Sequence, residues 1–245
     1  MVELTHTSCV LVGDIHGETQ SLLDDFERED IIITDTDLVL LGDIGLGFHY
    51  YSYRDMDWIP NDDVETLKIL EDWCEKYFND VWVLRGNHDD PKKFNDDFFS
   101  NFKHIHYLKD GEEVIGKNGK HYLTVPGAIS VDRVYRRENV SYWIDETINE
   151  KVYTEMENRK FDGVFAHTGP TPPACQKSAF ITKMKDEDPL LEGDIAIERK
   201  IVEDIIMKFD IKNWYGGHYH VNQIFESINS CVVRIMNINT PYQLY

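Results

Sequence analysis

Residues 81–90 read Val-Trp-Val-Leu-Arg-Gly-Asn-His-Asp-Asp, an apolar run that passes through a glycine into polar side chains able to bind metals or protons. Apolar runs of this length bounded by turn residues are typical of buried strands. In open α/β sheets, ligands bind beyond the carboxyl ends of the strands. The pattern therefore predicts a strand that carries Asn87, His88 and Asp89 to a site. The alternative is an ordinary turn, since Gly, Asn and Asp are common in turns.

Four further apolar runs end in the same way. The metal-binding side chains that follow them are Asp14 with His16, Asp43, His167, and His218 with His220. Residues two apart in an extended chain point to the same side, so each of the two spaced pairs directs two ligands to one point. A turn explains any one of these segments, but five at strand ends are hard to explain as turns. The sequence therefore predicts a single site built from five strand ends.

The order of elements predicts an α/β fold. Runs at 9–12, 38–41 and 81–84 alternate with helical patterns at 21–26 and 64–77, which is the arrangement of a parallel sheet. Further predictions are helices at 146–159 and 194–209, the latter with Ile197, Ile201, Ile205 and Ile206 on one stripe. A strand is predicted at 163–166, a hairpin from 221–225 and 231–235, and hairpin turns at Asp110-Gly111 and Asn118-Gly119.

Two segments are predicted to be irregular. The aromatic segment 48–63 is predicted to be a long loop that covers the core or stacks a nucleobase. Prolines 170, 172 and 173 exclude regular structure after His167.

Composition limits the class of protein. The 245 residues are 42% hydrophobic and carry a formal charge of −20, which is enough apolar content for a core and disfavours non-specific binding to nucleic acid or an anionic membrane. Four scattered cysteines form no CxxC pair, which favours reduced thiols. The start has no signal-peptide pattern and no apolar run approaches the roughly 20 residues of a membrane span. We predict a cytoplasmic protein.

The ligand types indicate the metal. Carboxylate, amide oxygen and imidazole without thiolate suit Mn, Fe or Zn ions rather than a structural zinc site. The ligands exceed what one ion needs, so two divalent ions sharing one carboxylate are expected, with Mn favoured. Two-metal sites activate water and hold the attacking and leaving oxygens of phosphate esters.

Segments 13–17, 42–45, 86–89, 166–167 and 217–220 resemble, in order and spacing, the motifs of the calcineurin-like metallophosphoesterases. The segment 127–136 resembles phage and bacterial members. The resemblance implies one domain over residues 1–245, a four-layer α-β-β-α sandwich of two mixed sheets flanked by helices. It implies hydrolysis of a phosphate-ester substrate by a metal-bridging hydroxide, with His88 near the leaving oxygen as general acid or charge stabiliser. By this resemblance the first metal is held by Asp14, His16 and His220, the second by Asn87, His167 and His218, and both by Asp43.

One departure narrows the function. The family's protein Ser/Thr phosphatases continue the second motif with an acid and an arginine, whereas this chain has Leu46-Gly47-Phe48. A protein phosphatase is therefore disfavoured, and the phosphate contact is expected from another arginine. Pairing with surface acids is the alternative fate of these arginines. The candidates are Arg54, Arg85, Arg133, Arg136 and Arg137.

The function expected is that of a metal-dependent phosphoesterase. The alternatives are a phosphodiesterase or nuclease acting on nucleotides or nucleic-acid ends, and a non-catalytic scaffold. His104 and His106 are predicted to lie on an exposed strand outside the site. Asp89 is not predicted to bind metal, and it either hydrogen-bonds a ligand histidine or caps the turn.

Overall fold

The fold is built on two large β-sheets. The structure is a computed structural model that describes residues 1–28, 34–77, 79–176 and 178–244. The strands in these ranges are β1 Val2–Glu3, β2 Ser8–Val12, β3 Thr36–Leu40, β4 His49–Ser52, β5 Asp57–Pro60, β6 Asp80–Val83, β7 Ile105–Tyr107, β8 Glu113–Ile115, β9 His121–Val125, β10 Gly163–Ala166, β11 Asn213–Gly216, β12 Gln223–Glu226, β13 Val232–Ile235 and β14 Pro241–Leu244. The α-helices are α1 Thr19–Arg28, α2 Asp63–Tyr77, α3 Asp96–Phe99, α4 Glu150–Glu155, α5 Ala179–Glu187 and α6 Leu191–Lys208.

Both sheets are mixed. The first has the order β14-β2-β3-β6-β7, with β14 antiparallel to β2 and the other four strands parallel. The second has the order β1-β8-β9-β10-β11-β13-β12, with β9, β10, β11 and β13 parallel. The predicted alternation of strands and helices in the first third of the chain produces the parallel part of the first sheet.

The sheets pack face to face and helices cover their outer faces. Leu11, Val39 and Trp82 of the first sheet share a buried cluster with Phe165 and Tyr215 of the second. The outer face of the first sheet packs against α1 and α2, and that of the second against α4 and α6. The four-layer α-β-β-α prediction is confirmed. Within the described residues, no helix is both long and apolar enough to cross a membrane.

Parallel strands bring the predicted site residues to one edge. The wholly buried β6 confirms the strand predicted at the start of 81–90. At this edge the backbone turns sharply, since His16, Asp43 and His218 have φ values of 46°, 54° and 65°. Such left-handed backbone is uncommon for residues other than glycine and occurs often at functional sites.

Several predicted elements are confirmed and others are wrong in extent. Helix α2, the strand β10 and the β12–β13 hairpin lie where they were predicted. The helix predicted at 146–159 is only α4, and it begins after Glu146 because the Glu146 carbonyl accepts from the Ala128 N–H and from Arg85 instead of from a helical N–H. Ile197 does not join the buried stripe of α6, since 59% of it is exposed.

The segment 48–63 is not a loop, which corrects the prediction. It contains the antiparallel hairpin β4–β5, in which Tyr51 pairs with Trp58 at a ring-centroid distance of 5.5 Å. Aromatic residues favour strands and stabilise them through cross-strand pairs. The Ser52 hydroxyl donates to the Asp55 carboxylate within the connecting turn.

Two other connections differ from expectation. Asn118-Gly119 forms the turn of the β8–β9 hairpin as predicted, but Asp110-Gly111 links β7 in one sheet to β8 in the other. Regular structure also resumes soon after the prolines, because α5 begins at Ala179 and is capped by the Ser178 hydroxyl, which accepts from the Ile181 N–H.

Candidate metal centre

The first ligand group comes from the ends of β2 and β11. Asp14 is fully buried, and its Oδ2 lies 3.2 Å from His220 Nε2. The Nε2 atoms of His16 and His220 lie 3.0 Å apart. The donors of the neighbouring residues Asp14 and His16 thus face His220, which is 204 positions from His16 in the sequence.

The second ligand group comes from the ends of β6, β10 and β11. Asn87 Oδ1 lies 3.0 Å from His167 Nε2 and 2.9 Å from His218 Nδ1. Two imidazole nitrogens therefore approach one amide oxygen, as ligands of a shared cation would.

Asp43 lies between the two groups. Its Oδ1 is 3.2 Å from His167 Nε2 in the second group, and its Oδ2 is 3.9 Å from His16 Nε2 in the first. Each carboxylate oxygen is thus directed toward a different group. This is one arrangement in which a carboxylate can bridge two cations.

The donor set and its packing fit two divalent cations. Edges of a tetrahedral site with metal–nitrogen bonds of 2.0–2.1 Å are ~3.3 Å long, close to the separations above. Glycines make room for the donors: a Cβ on Gly217 would lie 2.3 Å from Asp14 Oδ1, and a Cβ on Gly86 would lie 2.1 Å from Asp43 Oδ1. At this centre, candidate ligand atoms of three groups lie within 4.8 Å of one another, which are Asp14–His16–His220, His16–Asp43–His88 and Asp14–Asp43–His167.

The buried negative charges of Asp14 and Asp43 also favour the binding of cations at the centre. Burial by itself lowers the pKa of His167, but the Asp43 and Asp14 carboxylates outweigh burial and raise that pKa to about 9. Burial lowers the pKa of His218 to about 3. Of these two histidines, His167 alone therefore supplies a proton that compensates the two buried carboxylates. Bound divalent cations would provide more positive charge than this proton and would compete with it for His167.

Backbone and hydroxyl groups orient the ligands. His167 Nδ1 donates to the Leu41 carbonyl at 2.8 Å, which leaves Nε2 for the centre. Asn87 Nδ2 donates to Ser130 Oγ at 3.1 Å, which turns the amide oxygen toward the centre. Such contacts fix ligand orientation in metal sites. The sequence patterns did not indicate Ser130 or Leu41.

Two buried glutamates hold the loop that carries Ser130. The Ile129 N–H donates to Glu198 Oε2 at 2.8 Å, and the Ser130 N–H donates to Glu146 Oε1 at 2.6 Å. Burial raises the pKa of each glutamate to about 7. They were missed because they come from helical or irregular segments without a local motif.

Asp89 joins the two loops that carry Asp43 and Asn87. Its carboxylate accepts from the N–H groups of Gly45 at 2.7 Å, Leu46 at 3.0 Å and Gly86 at 2.7 Å. Burial and the nearby Asp43 charge raise its pKa to about 6. The structure therefore favours the turn-capping alternative over a hydrogen bond to a ligand histidine.

His88 is held by an aromatic ring and an arginine. Its backbone N–H donates to Asp43 Oδ1 at 2.7 Å, and its ring stacks on Phe48 with ring centroids 4.6 Å apart. Arg136 Nη2 lies 2.6 Å from His88 Nε2. Burial lowers the pKa of His88 well below its ordinary value, so Nε2 accepts a hydrogen bond from the guanidinium. Phe48 and Arg136 thus support His88 where the second motif offers neither an acid nor an arginine.

The five candidate arginines have different surroundings. Only Arg136 among them lines the cavity at the centre, where its Nε pairs with Asp132 at 2.7 Å. Arg85 is buried and donates to the Glu146 carbonyl at 2.6 Å, while Arg133 pairs with Asp188 and Asp194, each at 2.6 Å. Arg54 and Arg137 are exposed.

His104 and His106 lie away from the centre, on a partly buried edge rather than the exposed strand that was predicted. Together with His6 they surround the Asp80 carboxylate, with nitrogen–oxygen distances of 3.1, 3.4 and 3.1 Å respectively. This cluster lies at the start of β6, whereas Asn87 follows its end.

Comparison with known proteins shows the family and the fold of the chain. The family model of calcineurin-like phosphoesterases matches residues 8–222. No curated protein matches the sequence significantly. The crystal structure of TT1561 of Thermus thermophilus aligns with a TM-score of 0.54 at 8% identity, over 96% of this chain and 91% of that chain. The phosphopantetheinyl hydrolase of Mycobacterium tuberculosis aligns with a TM-score of 0.50 at 9% identity, over 95% and 90% of the two chains. At these identities the structural likeness shows a shared fold.

Proposed function

The chain belongs to the calcineurin-like phosphoesterase family, and from that premise we propose that it hydrolyses phosphate esters with two divalent cations bound at its centre. The observation that carries the proposal is the position of Asp43, whose two oxygens face different ligand groups. The first cation would be held by Asp14, His16 and His220, the second by Asn87, His167 and His218, and both by Asp43. The identity of these ligands stays a prediction, and manganese is the metal that we favour.

The cations would supply Lewis acidity and a nucleophilic water at neutral pH. The chain's own residues would orient the ester. Arg136 would bind the phosphate oxygens, and its contacts with Asp132 and with Ser130 Oγ at 3.1 Å keep the guanidinium beside His88. His88 would lie near the leaving oxygen, and its Nε2 would hold the Arg136 guanidinium, whose charge would stabilise the phosphate.

Arg136→Ala is expected to lower kcat/KM by about 100-fold, because a fixed cationic donor at the phosphate is lost. Arg137→Ala is the matched control, since the adjacent side chain is exposed, and it should leave kcat/KM unchanged. Steady-state kinetics with an aryl phosphate measure both. Equal effects of the two substitutions would exclude Arg136 as the phosphate contact.

The test of the function is hydrolysis by chelated protein reloaded with Mn²⁺, Fe²⁺ or Zn²⁺. 4-Nitrophenyl phosphate and bis(4-nitrophenyl) phosphate compare monoester with diester substrates. We expect metal-dependent turnover of the monoester. Turnover of the diester alone would favour the phosphodiesterase or nuclease alternative. A chain that binds metal but turns over neither would be the scaffold.

We also propose a cytoplasmic location. Its support is the state of Cys9, Cys74, Cys175 and Cys231, all of which are free thiols.

A further inference from the structure

A cavity of about 460 Å³ opens directly from the metal centre. Asp43, Asn87 and His88 form part of its wall at one end, and Arg136 lies beside them. Cavities of this size that combine an apolar wall with a few polar groups are typical of small-molecule sites. A phosphate held by Arg136 would direct its ester group into this space.

One side of the cavity wall is apolar and consists of residues from the loop after β9 and from α5 and α6, which are Ile129, Val131, Phe180, Ile181 and Ile195. Polar side chains line other parts of the wall, among them Thr171, Gln176, Ser178 and Arg199. Most of these side chains also pack together in a small buried cluster with Met184 and Leu191. Phe180 differs from them, because 53% of it is exposed although it lines the cavity. Phe180 therefore offers apolar surface to a ligand in this cavity.

The same loop builds the wall and orients a metal ligand. Ser130 holds the Asn87 amide, and its neighbours Ile129 and Val131 face the cavity. Glu198 and Glu146 fix the backbone of this loop through its N–H groups. The apolar wall is therefore held in a set position relative to the centre.

Besides Arg136, two cations line the cavity. Lys185 pairs with Glu192 at 3.0 Å, whereas Arg199 Nε donates to the neutral Thr171 Oγ1 at 2.9 Å and keeps its charge. The formal charge of −20 opposes a second anionic group on the substrate. An uncharged, apolar group complements the side of the wall that Phe180 and Ile181 form.

We infer that the preferred substrates are small phosphate monoesters whose leaving alcohol is apolar, aryl or branched alkyl in class, and that this alcohol packs on Phe180 and Ile181. The inference rests on the proposed function. Burial of apolar surface would be the source of selectivity, at roughly fourfold in affinity for each buried methylene.

The test compares phenyl phosphate with 2-naphthyl phosphate, whose leaving groups have similar acidity but different apolar area. Wild-type kcat/KM should be at least about tenfold higher for the naphthyl ester, on the same burial argument. Phe180→Ala should reduce this ratio severalfold. Ile197→Ala is the matched control, because that side chain is 59% exposed on α6 and does not line the cavity, and it should keep the wild-type ratio.

A second readout does not depend on turnover. Binding of 2-naphthol, followed by its fluorescence, should weaken severalfold in Phe180→Ala and stay unchanged in Ile197→Ala. If naphthol binding weakens in this way but neither ester is hydrolysed, the proposed function is contradicted. The apolar binding pocket would still be supported. Turnover with a naphthyl-to-phenyl ratio near one in the wild type, or a higher kcat/KM for adenosine monophosphate than for the naphthyl ester, would overturn the inference. An increase of KM for naphthyl phosphate in Arg199→Ala equal to that in Phe180→Ala would also overturn it.

Discussion

Asp43→Asn is expected to lower kcat/KM for aryl phosphate hydrolysis by about 1000-fold or more, because the substitution removes the charge of the carboxylate that joins the two ligand groups. The asparagine side chain is nearly isosteric with aspartate. Its amide oxygen can still accept the hydrogen bond that the His88 backbone N–H donates to Asp43 Oδ1 at 2.7 Å in the wild type. The loss would therefore report on charge and bridging rather than on a collapsed loop.

The matched control for this substitution is Asp57→Asn, which removes the same charge from an exposed position in β5. It should leave kcat/KM within twofold of the wild type. Circular dichroism should show both variants folded. If Asp43→Asn kept more than a tenth of the wild-type kcat/KM, Asp43 would not bridge two metals.

His88→Ala is the second substitution with a large expected effect, a fall in kcat of about 100- to 1000-fold. Arg136 lies 2.6 Å from His88 Nε2, so this nitrogen accepts a hydrogen bond and has no proton to give. We therefore expect His88 to hold the Arg136 guanidinium, whose charge stabilises the phosphate, and not to donate a proton from Nε2. The fall should be the same for 4-nitrophenyl phosphate and for phenyl phosphate, whose leaving group is much more basic.

Metal content separates this effect from a damaged centre, since His88→Ala should bind as much metal as the wild type. Phe48→Leu removes the stacked ring, whose centroid lies 4.6 Å from that of His88, and should give a smaller loss in kcat. A fall that is far larger for phenyl phosphate than for 4-nitrophenyl phosphate would contradict charge stabilisation and make His88 a general acid.

The fold and the location of the site were predictable because both depend on local patterns. Each buried parallel strand is a short apolar run, and each candidate ligand follows such a run within a few residues, as Asn87 follows β6. Parallel strands place these ends at one edge, so no long-range contact had to be known. These local patterns predicted an α/β fold with a parallel sheet, whereas the four layers were implied by the family resemblance.

The groups that support the ligands were not predictable, because they are brought in by tertiary structure. Ser130 reaches Asn87 across 43 positions of sequence, and Glu198 reaches Ile129 across 69. Ser130 lies in the segment 127–136 that resembles phage and bacterial members, but that resemblance gave it no role, and Glu198 belongs to no local motif. A serine or a glutamate without such a motif has many possible roles.

Arg136 illustrates the same limit. Five arginines were equally plausible from the sequence, and only the folded chain separates the one beside His88 from Arg133, whose guanidinium is occupied by two carboxylates. The hairpin β4–β5 was missed for a related reason. Its pairing depends on cross-strand contacts such as Tyr51 with Trp58, which a search for regular periodicity does not detect.

The most direct test of the two-metal centre is the number of metal ions that each wild-type chain binds. Chelated protein is titrated with Mn²⁺ by calorimetry, and the metal retained after gel filtration is counted by elemental analysis. The two ligand groups and the shared Asp43 predict two ions per chain in the wild type and fewer in Asp43→Asn. One ion or none in the wild type, or two ions retained equally in Asp43→Asn, would contradict the two-metal centre.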